Sequence, residues 1–441
     1  MARSWINYGS CAIVMVALAA CGGIRTSPFV APVSGSRLTL VTPIKHVVII
    51  VQENRTPDYL FQGVPGADIS SYGKTSQGVL VPLHQVSLGE GYDLGHGHES
   101  FIKDYDHGKM DGFDIGLRKP DRLRPFGYAV PSEVRPYHFM ATYYAFADRM
   151  FESNQGPSFP AHLYLISGTA DTDTPPWLVE NNPLDSITHR ASVGGCDAPK
   201  SAIVNTIDPG NGFLGPTPFP CFDRSVITDF LDAKGVSWRY YQSSRSAGLW
   251  EPFDAIRHVR YGPDYANVIY PETQVLTDIA QGHLAGVTWV VPDGIWSDHA
   301  GKHSSKKGPR WVAAIVNAIG ESAFWKSTAI FVTWDDWGGW YDHVAPPIDN
   351  FYELGFRVPL VILSAYTPKG HVSKKQHEFG SLLAFTEETF GIPKGVLHST
   401  DVRADDLMDS FDFTMLPRPF RDIPSPKFIP AANRYPSEED P

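Results

Sequence analysis

The chain has little cysteine, no excess of positive charge, no internal repeat and no apolar run long enough to cross a bilayer. Four cysteines in 441 residues exclude a disulfide scaffold or a zinc-ribbon array, which need dense and regularly spaced thiols. Lysine and arginine number 37 against 48 aspartates and glutamates, a formal net charge of −11. A nucleic-acid surface is therefore not expected. An acidic protein that handles anionic substrates needs local positive charge, from a metal or from histidines, of which there are 16. What is present is a hydrophobic fraction of 42% with 12% aromatics, enough for one large packed domain or two smaller ones.

The N-terminus reads as an address. Arg3 precedes the apolar stretch Cys11-Ala-Ile-Val-Met-Val-Ala-Leu18, which is too short to span a membrane. Leu18-Ala-Ala-Cys21 looks like a lipoprotein lipobox with Cys21 as the acylated residue; simple cleavage after an Ala-x-Ala-like site is the alternative. Residues 1–21 are thus expected to direct export to the bacterial envelope, and 22–42, rich in Ser, Pro and Thr, to form a tether. Cys196 and Cys221 then remain, and in an oxidising compartment they most simply pair. On a chain-entropy view such a bridge contributes roughly 3 kcal/mol.

Apolar runs at 46–52, 287–291, 329–334, 358–364 and part of 162–167 read as buried strands. Helical patterns at 136–150, 225–234, 272–282, 308–321 and 377–390 alternate with them. The alternation predicts an α/β fold, a three-layer α/β/α sandwich with a mostly parallel central sheet over residues 43–413. Residues 171–222, rich in Pro, Gly, Asn and Asp, read as an insertion near the site, a candidate lid, and the Pro-rich tail 414–441 as an irregular strap.

Two of the strands end in acids. His46 to Gln52 is followed at once by Glu53-Asn54, and Ala329 to Trp334 by Asp335-Asp336. In open parallel sheets ligands bind beyond the carboxyl ends of the strands. Carboxylates crowded there repel one another unless a cation joins them. Between these segments, Asn154-Gln-Gly-Pro-Ser158-Phe-Pro-Ala-His162 places Ser158 as the N-cap of a helix with Pro160 in its first turn. The N–H groups of such a terminus favour a phosphate, and a hydroxyl there could attack phosphorus; an ordinary capping serine is the plainer reading. His96 (with His98 beside it), His258 and His299 are candidate phosphate-binding or proton-donating residues, and Asp298-His299 follows a strand.

In order along the chain, His46 through Thr56, Gly108-Lys-Met-Asp-Gly-Phe113, Gly156-Pro-Ser-Phe-Pro160, Asp298-His299 and Asp335-Asp-Trp-Gly-Gly-Trp-Tyr-Asp-His-Val-Ala-Pro-Pro347 resemble the bacterial phosphoesterase family of phospholipases C and acid phosphatases. The resemblance spans roughly residues 43–400. It implies an alkaline-phosphatase-like fold and one divalent metal ion (Ca, Mg, Mn or Zn) held by Glu53, Asn54, Ser158, Asp335 and Asp336. It further implies Ser158 as nucleophile through a phosphoserine, with His96, His258 and His299 around the phosphate. The expected substrate is a phospholipid or a phosphomonoester, and the expected membrane contact is the N-terminal lipid. Two departures stand out: Pro57 where the family usually has an aromatic, and Asp335-Asp336 where many members have Asp-Glu, a pair also found on the acid-phosphatase side. A sulfatase-like relative and a non-catalytic surface lipoprotein that binds a ligand are the rival readings.

Overall fold

Strand β1, His46–Gln52, lies in the middle of an eight-stranded sheet, and its Val and Ile side chains are inaccessible on both faces. Each such side chain contributes roughly 1.5–3 kcal/mol when removed from water, and burial on both faces is the signature of a parallel sheet covered by helices. The computed structural model describes residues 42–245, 248–301 and 304–428. The leader, the lipobox, the tether up to residue 41 and the end of the tail from residue 429 lie outside them.

The remaining strands, in chain order, are β2 (Ala145–Ala147), β3 (Trp238–Tyr241), β4 (Val268–Ile269), β5 (Val287–Val290), β6 (Thr328–Trp334), β7 (Leu360–Ser364) and β8 (His371–Ser373). Their order across the sheet is β4-β3-β5-β1-β6-β7-β2-β8. All run parallel except β7, which is antiparallel to both its neighbours.

The helices that matter here are α1 (Arg135–Tyr143), α2 (Ser158–Ser167), α3 (Ile227–Ala233), α4 (Arg257–Tyr261), α5 (Gln274–Ala280), α6 (Gly308–Gly320) and α7 (Phe379–Phe390). α6 packs with α1 and α5, and α2 packs with α7 and α3, giving a helical layer on either side of the sheet. The pattern in α6 shows why: Trp311, Val312, Ile315, Val316 and Ile319 form one buried stripe at helical spacing. α2 and α7 stop at Gly168 and Gly391, both left-handed, as helix ends commonly do.

Three expectations are corrected. Residues 162–167 are helix, not strand: Leu163 to Ile166 is apolar because α2 is buried on every side, and a short apolar run cannot reveal its period. The helix expected over 136–150 ends at Tyr143, and Ala145–Ala147 leaves it to pair with β7 and β8. Ser158 is the first residue of α2 rather than its cap, which is Pro157.

Cys196 and Cys221 are bonded, and residues 171–222 contain two short antiparallel strand pairs. The tail to residue 428 runs along α6, with Phe420 against Trp325, Ile423 hydrogen-bonded to Asn317 and Phe428 in contact with Trp296 and Trp311.

Candidate active site

The register of the two central strands builds the site. Gln52 of β1 lies opposite Trp334 of β6, so Glu53-Asn54 and Asp335-Asp336 emerge side by side at the same edge. Asn54 adopts a left-handed φ of 62°. Its backbone N–H donates to Asp335 Oδ1 at 2.9 Å and its side-chain amide to Asp336 Oδ1 at 3.1 Å. The loop beyond closes over it with Gly338, whose N–H donates to Asp336 Oδ1 at 2.7 Å. A Cβ on Gly338 would sit 2.3 Å from the Asn54 carbonyl oxygen, so this position and its φ of 63° require glycine.

From the opposite side α2 delivers Ser158. Its hydroxyl lies 3.1 Å from Asp336 Oδ2 and 3.5 Å from Glu53 Oε2, which is why it does not turn back to cap its own helix. One turn later on the same face, His162 places Nε2 3.1 Å from Glu53 Oε1 and 3.8 Å from Asp335 Oδ2. All of these side chains are buried.

The sequence reading passed over His162, although a histidine four residues after a candidate nucleophile in a helix shares its face. It brings an imidazole to a ligand set expected to be all oxygen. Glu53, His162 and Asp335 each offer an atom close enough to share one cation. The donor chemistry fits a metal: Asp335 Oδ2 and Asn54 Oδ1 are buried and accept no hydrogen bond, a costly state unless a cation meets them. A nitrogen donor in such a set would suit borderline ions such as Mn or Zn better than Ca or Mg.

The expected cradle of helix N–H groups is thinner than anticipated. Pro160 has none, Phe159 N–H donates to Asn182 Oδ1 of the insertion at 2.9 Å, and Ala161 N–H donates to the Pro157 carbonyl. The insertion therefore bears directly on the start of α2.

His96 and His299 come together, their rings 5.8 Å apart and edge to face. Each is fixed through Nδ1, which donates to a backbone carbonyl, Leu94 at 2.7 Å and Ala300 respectively. Nε2 is thereby turned the other way. His96 also lies edge-on to Trp337, in the loop that carries Asp335 and Asp336. Asp298 is tied to Tyr137 and Trp334, and burial raises its carboxyl to about 6.

His98 is separate: its Nδ1 donates to the Gln155 carbonyl at 2.8 Å and burial lowers its pKa, so it props the segment before Ser158. His258 is not brought to the site. It lies at the surface on α4, with Nδ1 2.7 Å from Asp223 and Nε2 3.1 Å from Asp229. Both ring nitrogens are engaged in tying α4 to the start of α3.

Glu152 and Asn154, also unread in the sequence, are fully buried just ahead of Ser158. Burial pushes the Glu152 carboxyl well up, and the neighbouring charge of Asp336 adds to this.

The fold is an α/β/α sandwich, with an oxygen-rich cluster of buried side chains and a helix-borne serine at the carboxyl edge of its sheet. The chain belongs to the phosphoesterase family, whose model matches residues 44–393. It is 22% identical to the non-hemolytic phospholipase C of Pseudomonas aeruginosa over 79% of this chain and 54% of that protein. With phospholipase C A of Mycobacterium tuberculosis it shares 22% over 86% of this chain and 79% of that protein. The chain thus spans about half the length of the Pseudomonas relative. A solved structure in the alkaline phosphatase superfamily, from Vibrio parahaemolyticus, covers 83% of this chain and 70% of its own with 10% identity and a TM-score of 0.38, too distant a likeness to add to what the topology itself shows.

Proposed function

We propose that this protein is a metal-dependent phosphoesterase of the phospholipase C type that hydrolyses phosphate esters through a phosphoserine, with the catalytic domain over residues 43–413. The observation that carries the reading is Ser158 Oγ at 3.1 Å from Asp336 Oδ2, in a buried cluster whose Asn54 Oδ1 and Asp335 Oδ2 lack donors. Glu53, Asn54, Asp335, Asp336, Ser158 and His162 would hold the cation. When bound it would lower the pKa of the serine hydroxyl and offset charge on the phosphoryl oxygens.

Ser158 Oγ passes its proton to Asp336 Oδ2, to which it donates, and attacks phosphorus; the Oγ–P bond forms as the bond to the alcohol oxygen breaks. An imidazolium of the His96–His299 pair gives its Nε2 proton to the leaving alkoxide; the neutral imidazole then takes a proton from the water that attacks phosphorus, the Oγ–P bond breaks, and Ser158 Oγ recovers its proton from Asp336. The relatives' printed names favour a phosphodiester substrate, a phospholipid; the Asp335-Asp336 pair leaves a phosphomonoester as the second choice. The Cys196–Cys221 bond supports export, with Cys21 as the anchor.

The test is hydrolysis of p-nitrophenylphosphorylcholine beside p-nitrophenyl phosphate, with chelator and with added Mn, Zn, Ca or Mg. Metal-restored activity on the first substrate is expected. Preference for the second would make the enzyme a phosphatase, and no turnover of either with any metal would remove the reading.

A further inference from the structure

A two-stranded hairpin, Tyr72–Lys74 paired with Leu80–Pro82, carries apolar side chains into solvent. Leu80 is 70% exposed, Tyr72 59% and Val79 53%. A tight turn closed by Gly78 N–H to the Thr75 carbonyl has Ser76 and Gln77 at its tip, with Val79 and Leu80 directly after it. Beside it runs a groove of about 700 Å³ lined by Val79, Val81, Pro120 and Leu123 together with Lys119 and Arg122. Exposed contiguous apolar surface of this kind marks an interaction site rather than a stabilising feature.

Two observations indicate what covers it. In a chain of net charge −11, Lys119 lines the groove, Arg118 precedes it in the chain and both are exposed, and neither is paired with a carboxylate among the described residues. Apolar and aromatic side chains flanked by uncompensated cations suit a bilayer interface with anionic headgroups. The hairpin is also mounted on the active-site loop. Gly73 lies flat on Phe126, where a Cβ would come within 2.3 Å of the ring, and against Tyr341. Phe126 and Tyr341 belong to one aromatic cluster with Trp337, in the loop that begins at Asp335. Whatever seats on the hairpin is held at the same edge of the sheet as the site.

We propose that the Val79–Leu80 edge of the hairpin, with Arg118 and Lys119, docks the catalytic domain on an anionic phospholipid surface, independently of any lipid on Cys21. The proposal rests on the phospholipid-substrate reading for its purpose but not for its test. Flotation of the full chain carrying Cys21→Ser is measured with vesicles of phosphatidylcholine containing phosphatidylglycerol. Val79→Asp with Leu80→Asp is expected to lower vesicle binding by about tenfold or more. Arg118→Glu with Lys119→Glu should abolish the preference for anionic over pure phosphatidylcholine vesicles, and Ile187→Asp, an equally exposed apolar residue of the insertion, should change nothing. Melting temperature and the rate on p-nitrophenylphosphorylcholine report that the variants fold.

Failure of the parent to float, or flotation of the Val79/Leu80 variant like the parent, overturns the proposal. A hairpin that binds a protein rather than lipid gives the first of these results. Flotation through the hairpin by a protein that cleaves no phospholipid upholds the docking surface and removes the substrate class instead.

Discussion

The segments leaving β1 and β6 each meet twice, and the two meetings are completed by different partners. At the strand ends Glu53, Asn54, Asp335 and Asp336 face Ser158 and His162, and the oxygens Asn54 Oδ1 and Asp335 Oδ2 accept no hydrogen bond. A few residues further on, Asp58 and Asp342 face Arg357 and His343, and every distance is short. Arg357 forks onto Asp342 at 2.8 and 2.9 Å, His343 Nδ1 lies 2.8 Å from Asp58, and its Nε2 is 3.1 Å from Asp68. Both clusters are buried carboxylates; one is neutralised by the chain itself and the other leaves acceptors unfilled. A protein cation in place makes a scaffold, whereas unfilled oxygens and a hydroxyl make a site. Arg55 underlines the contrast, because it donates to the Asn54 and Leu88 carbonyls and stacks on Tyr59 rather than pairing with these acids.

The largest expected effect separates chemistry from scaffold. Ser158→Ala should lower kcat by at least about a thousandfold, as loss of a covalent nucleophile does, while the melting temperature stays within a few degrees of the parent's. Activity that survives the substitution would return Ser158 to a structural role. Arg357→Met should do the reverse. With Asp342 left buried and unmatched, roughly 3–5 kcal/mol of stability is lost, read as a fall in the denaturation midpoint. A midpoint that does not move would show that the second cluster is not ionic scaffold.

Asp335→Asn sharpens the comparison further. In chelated protein it should be nearly neutral, because the amide oxygen can still accept the Asn54 N–H and one like charge is gone. Added Mn or Zn should stabilise the parent by about 2.7 kcal/mol at a hundred times Kd and leave the Asp335→Asn protein close to its metal-free midpoint. Equal metal stabilisation of both proteins would place the cation elsewhere.

The legible parts of the sequence were those whose physics is local. Continuous β-branched runs announced β1 and β6, acids at their ends announced the site, and helix spacing announced α6 and α7. The strands β2, β4 and β8, of two or three residues, were not legible, because only their neighbours in the sheet make them strands. Ser158 was found for its position but misassigned as a cap, since the carboxylates that turn its hydroxyl away come from distant segments. His162 was overlooked although its spacing from Ser158 was visible, and Glu152 and Asn154 carried no periodic signal at all. His258 fitted a motif loosely and proved to be bound by Asp223 and Asp229, partners no spacing would have named.

The smallest effect tests whether His343 is a cation as the scaffold reading requires. Burial by itself would lower its pKa from 6.5, but the hydrogen bond and charge of Asp58, helped by Asp342, prevail and raise it to about 9. A histidine whose folded pKa exceeds its unfolded value adds stability that is complete below about pH 6.5 and is lost as pH climbs through 9. Because this side chain is partly open to solvent, screening should hold the change to about 1 kcal/mol or less. Urea midpoints of the parent and of His343→Gln should therefore differ most at pH 6 and converge towards pH 9.5, whereas the same pair compared across a metal titration should show no such convergence. A gap independent of pH would mean that His343 is neutral, and that Arg357 alone balances Asp58 and Asp342.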